Sequence, residues 1–169
     1  MKPKSLFVLL AVLTLLSFVA PAQAAEAADP YNGQSPYKVI NGRSCNSDGS
    51  IHDTEEIVRG DSVYGTIQFR WNLRCNTAWA FVNFGTKLSA GESGNALIRR
   101  AGPNGSHALA FSCDTAGGNK HVQAAQTTCY TPMMSRKYSM WVEGYLYHKN
   151  SAGAWVTHAF GTTRWVPGS

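Results

Sequence analysis

The sequence predicts an all-β fold, a single antiparallel β-sandwich or barrel. Three observations predict it. Apolar and polar residues alternate with a period of two over residues 63–71, 77–84 and 137–148, as in half-buried strands. Turn residues, chiefly Gly, Asn, Ser and Pro, separate these runs at short intervals. No helical periodicity of ten residues or more follows the first two dozen positions.

The chain opens on a different signal. Met1-Lys2-Pro3-Lys4 is positive, residues 6–20 form an uncharged, mainly apolar run of 15, and Pro21 breaks it. Ala22-Gln23-Ala24 then supplies the small-x-small pattern that signal peptidase accepts. A spanning helix needs about 20 apolar residues, so residues 1–24 are expected to be a signal peptide cleaved after Ala24. No Cys follows the apolar run to accept a lipid, and residues 164–169 carry no apolar tail. The expected product is secreted and extracellular, with no transmembrane segment in the mature chain. Residues 25–36 are expected to be a flexible N-terminal leader and residues 37–169 the β domain.

Taken in order, Tyr37-Lys38-Val39-Ile40 is expected to be a short strand, and Asn41-Gly42 a turn that delivers the chain to Cys45. Asn46-Ser47-Asp48-Gly49-Ser50 is a loop. In residues 63–71 one face would carry Val63, Gly65, Ile67, Phe69 and Trp71. In residues 77–84 Trp79 and Phe81 oppose Ala78, Ala80, Val82 and Phe84, and the two runs should form a hairpin. Residues 85–94 read as a loop. Residues 96–101 and 107–113 form a second hairpin about Gly102-Pro103-Asn104-Gly105. Residues 121–128 read as a strand or one helical turn. In residues 137–148, Tyr138, Met140, Val142, Gly144 and Leu146 share one face, while Trp141, Glu143, Tyr145 and Tyr147 share the other. Asn150-Ser151-Ala152-Gly153 turns the chain into a last strand over residues 154–166.

Cys45, Cys75, Cys113 and Cys129 all follow the expected cleavage point, and none forms a C-x-x-C pair. Neither a zinc knuckle nor a thioredoxin-like site is indicated. An even number of cysteines in an exported chain indicates two disulfides. Three pairings are possible. Cys45–Cys75 and Cys113–Cys129 close the shorter loops and are the expected pair, each contributing about 3–4 kcal/mol on the chain-entropy view.

Loss of Lys2 and Lys4 with the expected signal peptide lowers the formal charge from +5 to +3. That mild, scattered positive charge is not a nucleic-acid composition, so no nucleic-acid partner is expected; weak attraction to anionic wall polymers or membrane surfaces is compatible with it. Arg99-Arg100 reads as a solvated pair.

Catalytic and metal signatures are sparse, and no cofactor is expected. His52, Asp53, Glu55, Glu56 and Asp61 form the densest ionisable cluster, read as solvated loop charges. The Asp48 loop lacks an EF-hand's glycine placement, and its twelfth position is Ile57. His107, His121, His148 and His158 show no H-x-x-x-H or H-E-x-x-H spacing, although the last hairpin could bring His148 and His158 together. No G-x-S-x-G is present. The aromatic inventory is richer. Trp141, Tyr145 and Tyr147 share one strand face, which would be core if a second sheet covered it and a binding face if exposed.

The stretch Phe69-Arg70-Trp71-Asn72-Leu73-Arg74-Cys75-Asn76-Thr77-Ala78-Trp79-Ala80, with Tyr31-Asn32-Gly33-Gln34-Ser35-Pro36-Tyr37-Lys38-Val39-Ile40-Asn41-Gly42 and Ser44-Cys45-Asn46 before it, resembles the YolA-like small exported proteins of Gram-positive bacteria, part of a wider domain family of unknown function. The resemblance covers roughly residues 31–82. It implies a disulfide-stapled β domain and no particular activity. The expected function is therefore a secreted, non-enzymatic binding or interaction protein, for an envelope polysaccharide or a secreted protein partner. The alternative is a small exported hydrolase or toxin with a site built from distant His and carboxylate residues.

Overall fold

The computed structural model describes residues 29–102 and 107–169. The expected signal peptide, the start of the leader and most of the 102–105 turn lie outside the described residues. Among the described residues, nine strands form one antiparallel sheet: β1 (Ser50–Arg59), β2 (Ser62–Asn72), β3 (Thr77–Phe84), β4 (Glu92–Ala101), β5 (His107–Ser112), β6 (Thr128–Tyr130), β7 (Met134–Ser135), β8 (Met140–Lys149) and β9 (Trp155–Thr162). Their order is β5-β4-β8-β9-β1-β2-β3-β6, with β7 beside β3. The sheet curls until its two edges approach. Cys113, just past β5, is bonded to Cys129 in β6, and Gly94 of β4 pairs with Val122 on the way to β6. The result is a nearly closed barrel rather than a sandwich.

The two-residue alternation produces the core. Ile67 and Phe69 of β2, Ala78, Ala80, Val82 and Phe84 of β3, Ile98 of β4, and Val142 and Leu146 of β8 are buried together. Gly94 is needed where Phe84 crosses the interior, because a Cβ there would lie 2.0 Å from the Phe84 ring. The β2–β3 hairpin has the expected facing, with Phe69 opposite Ala80 and Trp71 opposite Ala78.

Outside β3 sits a second small core. Trp79 and Cys45 are fully buried there with Met133, flanked by Tyr31, Cys75, Phe81 and Tyr130. The Cys45–Cys75 disulfide ties the N-terminal segment to the β2–β3 turn. Residues 29–36, expected to be flexible, are part of this cover: Gly33 N donates to Met133 O at 2.8 Å and Met133 N to Gln34 O at 2.9 Å.

Several elements differ from expectation. Residues 37–40 form turns with one bridge, Ile40 to Arg43, because Asn41 and Gly42 both take positive φ and reverse the chain at once. The charged segment after Ser50 is not a loop but β1. It pairs with β2 from Ser50 to Arg59, and only Ile57 turns a buried side chain inward, so its solvated residues hid the strand. β4 begins at Glu92, inside the expected 85–94 loop. Residues 121–127 are irregular, with a single bridge at Val122. Arg99 and Arg100 are not a solvated pair: Arg99 binds Glu143 at 2.7 Å, while Arg100 lies over the Tyr138 ring. Among the described residues no helix is long and apolar enough to cross a membrane.

Candidate functional site

The antiparallel register of β4, β8 and β9 builds the richest surface. Across β4 and β8, Arg99 faces Trp141, Asn95 faces Tyr145 and Ser93 faces Tyr147. Across β8 and β9, Tyr145 faces Phe160 and Lys149 faces Trp155. The three aromatic residues singled out in the sequence therefore lie on the outer face of the sheet, in two different settings.

Trp141 is only 5 % exposed, because Trp165 stacks on it at 4.3 Å between centroids. Its Nε1 donates to Glu143 Oε1 at 2.9 Å. Glu143 Oε2 accepts from Arg99 Nε at 2.7 Å and from the Tyr145 hydroxyl at 2.8 Å. Burial alone would raise the Glu143 carboxyl, but the bonds from Arg99, Trp141 and Tyr145 and the Arg99 charge hold it below the usual carboxylate range. Burial, then the Glu143 carboxylate, pushes the Tyr145 hydroxyl up to about 12. This half of the face is a rigid polar knot under an indole lid.

The other half is open. Tyr145 and Tyr147 stack at 5.7 Å with planes 5° apart, and Phe160 leans on Tyr145 at 5.0 Å. Beyond Tyr147 a groove of about 530 Å³ is bounded by Ser93, Asn95 and Tyr147 on the sheet, by His121, Gln123 and Ala124 on the β5–β6 connection, and by Trp155. Glu92 lines it at the start of β4. Trp155 is 50 % exposed. Asn95 is set in place by accepting from Cys113 N at 3.2 Å.

The connection that walls the groove is tightly held. Cys113–Cys129 closes it, and Asp114 clamps it by accepting from His121 N at 3.1 Å and pairing with His121 Nε2 at 2.6 Å. Lys120 and Ala125 both take positive φ, a conformation that non-glycine residues hold only when their surroundings impose it.

Other sequence candidates are dispersed. His52 packs its ring tilted against Trp71, with centroids 3.7 Å apart, and Asp53 accepts from Arg164 N at 3.3 Å. Asp48 pairs with Arg74 at the surface at 2.9 Å. Among the described residues no three His, Cys, Asp or Glu side chains are grouped to hold a metal. The last hairpin does bring His148 and His158 together, at 2.9 Å. Glu92, Asn95, His121, Gln123 and Trp155 share a groove that no local pattern announces, because three separate segments supply them.

The family profile described as "Protein of unknown function (DUF2690)" matches residues 29–144. The chain is 35 % identical over 133 residues, 78 % of each chain, to the protein named "Uncharacterized protein YjfA" of Bacillus subtilis (strain 168). No solved structure matches. The family match includes the β4 and β5–β6 sides of the groove and ends before Tyr145, Tyr147 and Trp155.

Proposed function

This chain belongs to the DUF2690 family of proteins of unknown function, and from that premise we propose that it is a secreted, non-enzymatic binding protein that recognises envelope polysaccharide through the groove between Tyr147 and Trp155. The observation that carries the proposal is the lining of that groove: half-exposed Trp155 and partly buried Tyr147 beside Glu92, Asn95 and Gln123. Sugar rings present apolar C–H faces that stack on aromatic side chains, and hydroxyl edges that need carboxylate and amide partners. The stacked Tyr145 and the exposed Phe160 continue the aromatic surface along β8 and β9, which suits an extended polymer. The two disulfides, together with the expected signal peptide, support a place outside the cell.

The test is co-sedimentation of the purified protein with insoluble cell-wall polysaccharide. Retention is expected, and Trp155→Ala should weaken it about tenfold, equivalent to about 1.4 kcal/mol. No retention, or equal retention of the variant, overturns the proposal; capture only by secreted proteins would point to a protein partner.

One observation favours a hydrolase as the second reading: the His121–Asp114 pair at 2.6 Å beside the groove. Both Asp114 oxygens are engaged by His121 itself, which accounts for the pair as a loop clamp. Release of soluble sugar by the wild type, lost in His121→Gln, would establish the hydrolase.

A further inference from the structure

At the end of β8, next to the groove, lies a hydrogen-bonded cluster that glycan binding does not use. His148 Nδ1 is 2.9 Å from His158 Nδ1. Arg59 Nη1 is 2.8 Å from the same His158 nitrogen. His158 Nε2 is 3.1 Å from the Tyr64 hydroxyl. β1, β2, β8 and β9 each contribute one polar group. From β4 comes Glu92, opposite His148 in the ladder, whose charge also acts on His158.

The donor inventory fixes the proton positions. A guanidinium has donors and no acceptor, so His158 Nδ1 must be the acceptor and its ring proton must sit on Nε2, directed at Tyr64. His148 Nδ1–H then shares with Arg59 the single lone pair of that nitrogen, a three-centre arrangement. The arrangement requires a neutral His158. A further proton has only Nδ1 to occupy, where two donors already converge.

We propose that His158 is an acid switch on the groove: protonation at Nδ1 expels Arg59 and His148 and loosens the start of β9, which carries the Trp155 wall. The coupling is short. His148 and Lys149 of β8 pair with Val156 and Trp155 of β9, and a bulge between Leu146 and Tyr147 sets His158 out of the regular ladder. The Lys149 ammonium also lies over the Trp155 ring at 5.2 Å. Burial, then the charges of Arg59 and His148, lowers the His158 pKa from its ordinary 6.5, with Glu92 opposing. A base whose folded pKa is depressed favours the folded arrangement while neutral. That advantage is present above the ordinary histidine value and is lost as pH falls through it to the lowered one. The effect on ligand rests on the groove being the binding site; the switch itself does not.

The experiment is therefore done without ligand, by histidine and tryptophan NMR of the purified protein between about pH 7.5 and 5. His158 should be the Nε2–H tautomer at the upper end. On acidification the Trp155 indole signal should move in step with the His158 titration. His158→Gln should abolish that movement, with far-UV circular dichroism confirming the fold. Arg59→Gln, at an exposed position, should shift the midpoint upward and provides the same readout if His158→Gln does not fold. An Nδ1–H tautomer, a Trp155 signal that stays still, or the same movement in His158→Gln would overturn the switch. Failure to bind polysaccharide would leave these signals unchanged and would instead count against the proposed function.

Discussion

Glu143 shows how much one residue organises. Its carboxylate collects Arg99, Trp141 and Tyr145 on one side of the barrel. Replacing it by Gln keeps the shape but loses the charge-assisted bonds, and should cost about 1–3 kcal/mol in urea unfolding near neutral pH. Because its folded pKa is depressed, the wild-type advantage exists above the ordinary carboxylate range and disappears as pH falls through the folded value. The two proteins should then converge in stability in acid, and an unchanged gap would contradict the network. Alternation alone placed Trp141, Glu143, Tyr145 and Tyr147 on one face. It could not show that Trp165 covers Trp141, since that stack joins segments the ladder does not pair, nor that Arg99 arrives from another strand. Tyr147 and Tyr145 were legible as a face; Trp155 as their companion was not.

At the level of elements, β1 and β9 meet along the thinnest seam of the sheet, with one ladder pair, Val58 to Phe160. Gly161 allows the approach, because a Cβ there would lie 2.2 Å from Glu56 O. Gly161→Val should cost about 2–3 kcal/mol by forcing the seam apart, measured as a lower urea midpoint, with amide exchange accelerated first in β1 and β9. A uniform acceleration would argue that the seam is not a separate weak point. β1 was the strand hardest to see in the sequence for a related reason. Nearly all its side chains face water, so backbone pairing, not apolar alternation, makes it a strand. β2, β3 and β8 were legible because each turns one apolar face inward. The wall of the groove was illegible, since residues 114–127 obey a disulfide and two strained backbone positions rather than a period.

On the scale of the whole molecule, the Cys113–Cys129 disulfide closes the barrel by joining its two edges, whereas Cys45–Cys75 fastens a cover to its outside. Loop length alone predicts that losing either costs about 3–4 kcal/mol. Topology predicts a difference in where the damage falls. The double variant Cys113→Ala/Cys129→Ala should expose the amides of β5, β6 and the groove wall to exchange and weaken polysaccharide retention. Cys45→Ala/Cys75→Ala should instead expose the Trp79 cluster and leave the groove intact. Identical exchange patterns would contradict that division. The sequential pairing followed from short loops, but nothing in the spacing of the cysteines revealed that one bond seals a barrel and the other a lid.

The most direct test of the central proposal is to titrate soluble cell-wall polysaccharide fragments into isotope-labelled protein and follow the indole signals of all five tryptophans. Saturable shifts at Trp155 and at the amides of Ser93, Asn95, Gln123 and Tyr147, absent in Trp155→Ala, are the predicted result. A Trp155 signal that stays still at saturating fragment, or shifts confined to the Trp79 side of the barrel, would contradict it.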